Sequence, residues 1–284
     1  MEREITKLSP EQFPALLAET PEPPSTLYIR GTLPPSETKL LAVVGSRRMS
    51  RYGKDVCEHL IAGLAGYPIA IVSGLALGVD GVAHRAALSA GLPTIAIPGS
   101  GLSDAVLYPR AHVGLAKDIL AAGGALLSEF EPNFRARPES FPQRNRLMAG
   151  MSHATLVIEA GVRSGTLITA RLASDYGREL LVVPHSIFAE GGAGGHVFMK
   201  IGGAPCRSAA DILEALGIEE SETKKEFLLT KDEKKVLDIL NEPLPRDELI
   251  RALGMEVRDA NVLLAAMELR GIIAESMGEI RKNV

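Results

Sequence analysis

The chain of 284 residues is expected to form a doubly wound α/β domain around a parallel sheet of about six strands, followed by a small winged-helix domain. Three observations carry this expectation. Six short apolar runs, LLAVV, IAIVSG, PTIAIPG, GALLSEF, ATLVIEA and ELLVVP, recur along the first part of the chain. They are apolar at successive rather than alternate positions, as strands covered by helices on both faces must be. Beyond them come three helix-period segments and a short strand-like pair.

Taken in order, residues 1–35 are proline-rich (PEPPSTLYIRGTLPP) and read as an extended N-terminal lead-in with one short helix between Pro10 and Ala18. A Rossmann-like domain is expected over 36–217. Within it, GKDVCEHLIAGLA, DGVAHRAALSAG, HVGLAKDILAAGG and TLITARLASDYG space their apolar residues helically, so that helices return the chain between strands. Residues 218–230 (IEESETKKEFLLT) are charged and lack glycine turns, the composition of a linker. The winged helix is expected over 231–284. Its helices are KDEKKVLDILN, PRDELIRALG and VRDANVLLAAMELRG, and its hairpin is IIAES and GEIRK joined at Met277-Gly278.

Composition narrows the function. No run of about 18 apolar residues is present to span a membrane, and the charged start MEREITKLSPEQ is not a secretory signal. The two cysteines, Cys57 and Cys206, have neither disulfide-framework nor metal-ligand spacing, which points to the cytoplasm. The net charge of −4 excludes a generally basic nucleic-acid binder but not a local basic site. Between Arg30 and Lys54, six basic residues (Arg30, Lys39, Arg47, Arg48, Arg51, Lys54) face one acid, Glu37. Arg135, Arg137, Arg144 and Arg146 outnumber Glu131 and Glu139 in the window 131–150, whereas residues 228–284 are net acidic. A polyanion should meet the first two windows and avoid the last, unless these windows are simply solvated faces.

Ligands of open α/β sheets bind beyond the carboxyl ends of the strands, so the turns there carry the chemistry. After the first run stand Gly45, Ser46, Arg47, Arg48 and Ser50, leading into a helix whose free N–H groups favour an anion. Arg47 can grip phosphate oxygens with two donors. A tight turn with surface arginines is the plain alternative. Arginine at 47 rules out a G-x-G-x-x-G fingerprint, and no G-K-[ST] of a P-loop occurs. Ser73, Gly74 and Gly78 make a thin second loop, with Asp80 expected to cap the following helix. Ser164, Gly165 and Thr166 form another anion-ready turn. Phe141 stands beside Arg144, Asn145 and Arg146, an aromatic among cations of the kind that stacks a base while phosphates are held on either side. Each of these also has a bland reading as cap or core plug. No nucleophile–base pair, metal set or cofactor fingerprint can be assembled.

The motifs GSRRMSRYG, SGLALGVDGVAH, PGSG with Tyr108-Pro109, FPQRNRLMAGMS and EAGVRSGTLITA, in this order and spacing, resemble the DprA (Smf) family of bacterial DNA-processing proteins over roughly residues 27–215. The resemblance implies an extended Rossmann-like domain that binds single-stranded DNA, forms a homodimer and loads the recombinase RecA, in natural transformation and recombination. It implies no catalysis and no cofactor. Carried over, the strand-binding pocket comprises Gly45, Ser46, Arg47, Ser50, the Ser73-Gly74 turn, Arg144, Arg146 and Ser164 to Thr166, with Phe141 touching a base. The dimer patch is expected near Leu181 to Phe198. The chain departs from the family in lacking room, within 1–35, for the helical domain that often precedes the sheet. His112 and His196 (in a GGAGG loop) stand where asparagine is usual, and His185 stands for glycine.

Two other functions compete. Nucleotide phosphoribohydrolases share this Rossmann variety and carry PGGxGTxxE, which PGSG and SGTLITA only partly echo; there Glu159 would be needed for turnover. Alternatively, the winged helix makes the chain a protein scaffold. Its third helix sets Arg258 and Arg270 against Asp259 and Glu268, which does not suit major-groove reading.

Overall fold

Backbone pairing places the six apolar runs in one sheet. In chain order its strands are β1 (Ile5–Lys7), β2 (Tyr28–Gly31), β3 (Lys39–Val44), β4 (Ile69–Ser73), β5 (Thr94–Ala96), β6 (Ala125–Ser128), β7 (Ala154–Val157), β8 (Glu179–Val182) and β9 (Ala204–Pro205). The spatial order is β1-β2-β6-β5-β4-β3-β7-β8-β9, parallel from β6 to β9, with β1 and β2 antiparallel at one edge. This is a computed structural model, describing residues 4–162, 164–219, 230–269, 271–276 and 278–282. The chain divides into two units, Met1–Glu220 and Ser221–Val284.

Two helix layers cover the sheet because successive strand residues point to opposite faces. Leu41 and Val43 join Ile69 and Ile71 in a core beneath α2 (Arg51–Ala62), α3 (Val79–Ser89) and α8 (Ala209–Ala215), while α4 (Val113–Ala121) packs over Ala96 and Leu126. Leu40, Val44, Ala70 and Val72 face the other core, beneath α1 (Ala15–Ala18), α5 (Ser140–Met151), α6 (Thr166–Asp175) and α7 (Ala193–Lys200). From β3 the chain steps to β4 on one side, then returns to place β7 on the other. The β3/β7 boundary is therefore the topological switch point, where a crevice opens beyond the strand ends.

Several details differ from expectation. The lead-in over 1–35 is partly sheet: β1 pairs with β2, and β2 pairs with β6. The single helix expected from Pro10 to Ala18 is a 3₁₀ turn (Pro10–Gln12) followed by α1, interrupted at Pro14, which has no N–H to continue the first turn. The GGAGG segment is not a loop: its first two glycines end a 3₁₀ turn (Glu190–Gly192) and the rest begin α7. The linker expected over 218–230 lies, from 220 to 229, outside the described residues.

The second unit has its own core of Val236, Leu249, Leu253, Leu264, Ile272 and Ile280. It contains α9 (Lys231–Ile239), α10 (Arg246–Leu253) and α11 (Val257–Leu269), with β10 (Leu244–Pro245), β11 (Ile273–Ser276) and β12 (Glu279–Lys282) in the order β10-β12-β11. Thr230 and Glu233 form a reciprocal capping box at α9, and Gly254 ends α10 in the left-handed region at φ 64°. Three helices and a β-wing make this a winged helix, as the sequence implied.

Candidate functional site

A cleft of about 980 Å³ opens at the switch point. Its walls are Gly45 to Arg48 after β3, Phe141, Pro142, Arg144 and Asn145 on α5, Ser164 to Thr166 at the start of α6, and Glu190 and Gly191 beyond β8. The β3 turn is held from both sides. Ser46 N donates to Glu159 O at 2.8 Å, and Val79 N donates to Ser46 O at 3.1 Å. The second contact needs Gly78, whose φ is +80° and where a Cβ would lie 2.2 Å from Ser46 O. Arg48 N donates to Ser46 Oγ at 3.1 Å, closing the turn.

Arg47 and Arg48 are exposed on the rim, and no carboxylate pairs with either among the described residues. The Arg47 guanidinium lies 5.0 Å from the Phe141 ring centroid, in the range of a cation–π contact. Phe141 is half-buried; its ring lies against Gly99 and 5.7 Å from the Tyr108 ring. Across the cleft, Ser164 Oγ donates to Thr166 Oγ1 at 2.9 Å and accepts from Thr166 N at 3.2 Å, at the N-terminus of α6. Residues singled out on three separate elements thus face one space.

Other expected site residues play different parts. Arg144 reaches the cleft wall but is only 4% exposed, and its guanidinium donates to Gly74 O, Ile97 O and Asn145 Oδ1. It clamps the loop after β4; a Cβ on Gly74 would sit 2.0 Å from Arg144 Nη1. Burial pushes the Arg144 guanidinium down to about 10, against the pull of neighbouring Asp80. Asp80 does not cap α3, whose N-cap is Gly78. Its carboxylate accepts from Gly74 N (3.1 Å) and Ala76 N (3.3 Å), tying the loop from inside. Burial raises the Asp80 pKa, opposed first by Arg144 and then by these N–H groups.

Arg146 does not line the cleft: it pairs with Glu129 and donates to Glu22 O at 2.7 Å. Two residues from Arg144 on a helix, it must point elsewhere. Ser73 is fully buried and donates to Val43 O at 2.6 Å. Ser50 is the N-cap of α2, accepting from Gly53 N at 3.0 Å, and donates to Glu159 Oε2 at 2.7 Å. Glu159 also accepts from Ser50 N at 2.9 Å, so this carboxylate is occupied in fixing the start of α2. Glu159 and Glu190 in the wall were not foreseen as site residues for a polyanion. An acid directly after the fifth apolar run was the signal for Glu159; nothing local marks Glu190. With Asp80 they equal in number the three arginines of the lining, so the cleft is polarised rather than uniformly basic.

The three unusual histidines are built into the backbone. His112 Nδ1 donates to Leu75 O at 2.8 Å, holding a buried residue at φ 59°. His185 Nδ1 donates to Val183 O, and His196 Nε2 to His185 O, both at 3.0 Å. In the expected dimer patch, Leu181 and Phe198 are buried; the apolar residues exposed there are Ile187 (83%), Phe188 (89%), Val197 and Ile201.

A switch-point cleft with two serine-bearing turns and an arginine–aromatic pair, joined in one chain to a winged helix, defines a Rossmann-like protein with a candidate binding cleft. The family model of DNA recombination-mediator protein A matches residues 4–217, and that of the DprA winged helix domain matches 220–279. The chain belongs to the DprA/Smf family. It is 36% identical over 279 residues to Protein Smf of Escherichia coli, spanning 94% of this chain and 74% of that one. Identity is also 36% over 210 residues to DNA processing protein DprA of Bacillus subtilis, covering 74% and 70%. Among solved structures, DprA of Streptococcus pneumoniae superposes with a TM-score of 0.70 at 35% identity, covering 77% of this chain and 76% of that one. DNA processing protein A of Helicobacter pylori, whose structure concerns a single-stranded DNA binding mode, gives 0.65 at 28%, covering 76% and 98%. The family consists of DNA-processing recombination mediators rather than known catalytic enzymes, which sets the phosphoribohydrolase alternative aside.

Proposed function

We propose that the switch-point cleft binds single-stranded DNA without breaking a bond. The observation that carries this is the convergence of Arg47, Phe141 and the Ser164–Thr166 turn on one cleft at the β3/β7 boundary. Phosphates would take the Arg47 and Arg48 guanidinium groups, the Ser46 and Thr166 hydroxyls and the Gly165 N–H at the start of α6, the Ser46, Arg48, Ser164 and Thr166 N–H groups being engaged within the protein. An unpaired base would stack against the Phe141 ring or the guanidinium plane lying over it. Arg144 and Asp80 keep the loop beneath in shape, and Asn145 and Gly165 complete the wall. The single-strand binding mode described for the Helicobacter pylori relative supports the same reading.

The test is fluorescence anisotropy of a labelled oligonucleotide across a salt series. Affinity should fall steeply with salt as counterions are released. Arg47→Ala and Phe141→Ala should each weaken single-strand binding by about 1–3 kcal/mol. Equal affinity for duplex in the same buffer removes the stacking role.

Within this reading the protein delivers single strands to RecA in the cytoplasm, in recombination and DNA uptake, as its family of recombination mediators supports. A reconstituted assay of RecA filament formation on strands covered by single-strand-binding protein checks this. Homodimerisation is proposed through Ile187, Phe188, Val197 and Ile201, where solvated apolar side chains lie on one short stretch of chain. Phe188→Glu should convert a dimer to a monomer in sedimentation.

A further inference from the structure

We propose that the strand path continues beyond the cleft to a second nucleotide subsite, formed by Tyr108 and Arg110 beyond the end of β5. This rests on the cleft being a single-strand site. Tyr108 lies outside the cleft lining, yet the residue is 44% exposed and its ring meets the Phe141 ring at 5.7 Å with a 54° tilt. The chain has no tryptophan, five tyrosines and seven phenylalanines, so an aromatic ring left in water beside the base-stacking position is conspicuous. Its hydroxyl has no hydrogen-bond partner among the described residues, while its backbone is fixed: Tyr108 N donates to Ser100 Oγ at 3.2 Å. The ring is thus a held platform with a free edge.

Arg110, two residues on, is exposed and has no carboxylate partner among the described residues. Its Nη1 donates to Asp104 O at 2.6 Å, and the Asp104 carboxylate is taken by Arg30 and Lys117. A backbone-anchored guanidinium with unused donors suits a phosphate oxygen. The ends of β3 and β5 are two strand spacings apart, roughly 10 Å, so a strand lying across the sheet edge would bring successive nucleotides first to Arg47–Phe141 and then to Tyr108–Arg110. The tilt between the rings suits bases that are splayed rather than stacked on each other. The ligand of the second subsite is therefore the next unpaired nucleotide of the same strand.

The experiment titrates the full chain with a length series of thymidylates, from the mononucleotide upward. Tyr108→Ala and Arg110→Ala should each lose roughly five- to tenfold in affinity once the oligonucleotide is long enough to leave the cleft. Tyr108→Phe should restore the loss, since the ring face does the binding. Tyr108→Trp supplies a lone indole, whose fluorescence should be quenched by the oligonucleotides and not by the mononucleotide. If Arg47→Ala weakens every length while Tyr108→Ala weakens none and the indole stays bright, the second subsite is overturned and the cleft stands. If Tyr108→Ala weakens all lengths equally, the ring acts only through Phe141, and the subsite is again overturned. If Arg47→Ala changes nothing, the cleft reading fails instead.

Discussion

Arg144 and Arg146 were both expected to grip DNA, and the structure gives them separate duties. Arg144 is a clamp whose donors are spent on the Gly74 loop, with Asp80 as its buried counter-charge. Asp80→Ala should leave that guanidinium uncompensated and lower stability by about 3–5 kcal/mol, read from the denaturant midpoint. Arg146→Ala should strand the Glu129 carboxylate, costing about 1–3 kcal/mol in stability while leaving oligonucleotide affinity at the wild-type value. Had helical spacing been applied within FPQRNR, the two arginines would have been separated from sequence alone, because residues two apart do not share a face. His84 adds a pH dependence. It is fully buried, 2.7 Å from Thr94 Oγ1, and burial, with His112 and Arg144 nearby, pushes its pKa down to about 3. Below about pH 6.5 the unfolded chain takes up a proton that the folded one refuses. The stability His84 contributes is therefore complete above that pH and declines on acidification toward pH 3. Thermal melts of His84→Gln against pH should show a shallower acid limb than wild type.

At the scale of elements, the six central strands and the helices α2, α3, α4 and α6 were legible because buried parallel strands and helix-period returns leave strong local signals. What was not legible depends on partners far away in the chain. β1 and β2 are short, and only the pairing of β2 onto β6, with β1 on β2, makes them sheet. The GGAGG segment looks like a loop, yet a Cβ on Gly194 would sit 2.7 Å from Ala160 O; its glycines let α7 pack closely on the chain after β7. The same mixture holds in the cleft. Arg47, Phe141 and Ser164 announced themselves by residue type, whereas Glu190 arrives only because this segment folds back over β7. Glu190 is exposed in a wall proposed to face phosphates. Glu190→Gln should tighten oligonucleotide binding by a few-fold at low salt, with the gain vanishing at high salt.

For the whole molecule, the two units have separate cores, the second built from residues 236–280 and sharing none with the first. A fragment ending at residue 219 should therefore bind single strands within a few-fold of the full chain; a loss of two orders of magnitude would assign the strand to the winged helix. The first unit also keeps the turns of the proposed site on neighbouring strands that are distant in sequence: β3 and β7 touch, but β4, β5 and β6 are threaded between them in the chain. No local fragment can display both turns, so in the proposed reading nucleic acid would meet its site only on the completed sheet. A short oligonucleotide should accordingly act as a folding ligand, raising the melting temperature of the first unit in proportion to the logarithm of its concentration once the site is saturated.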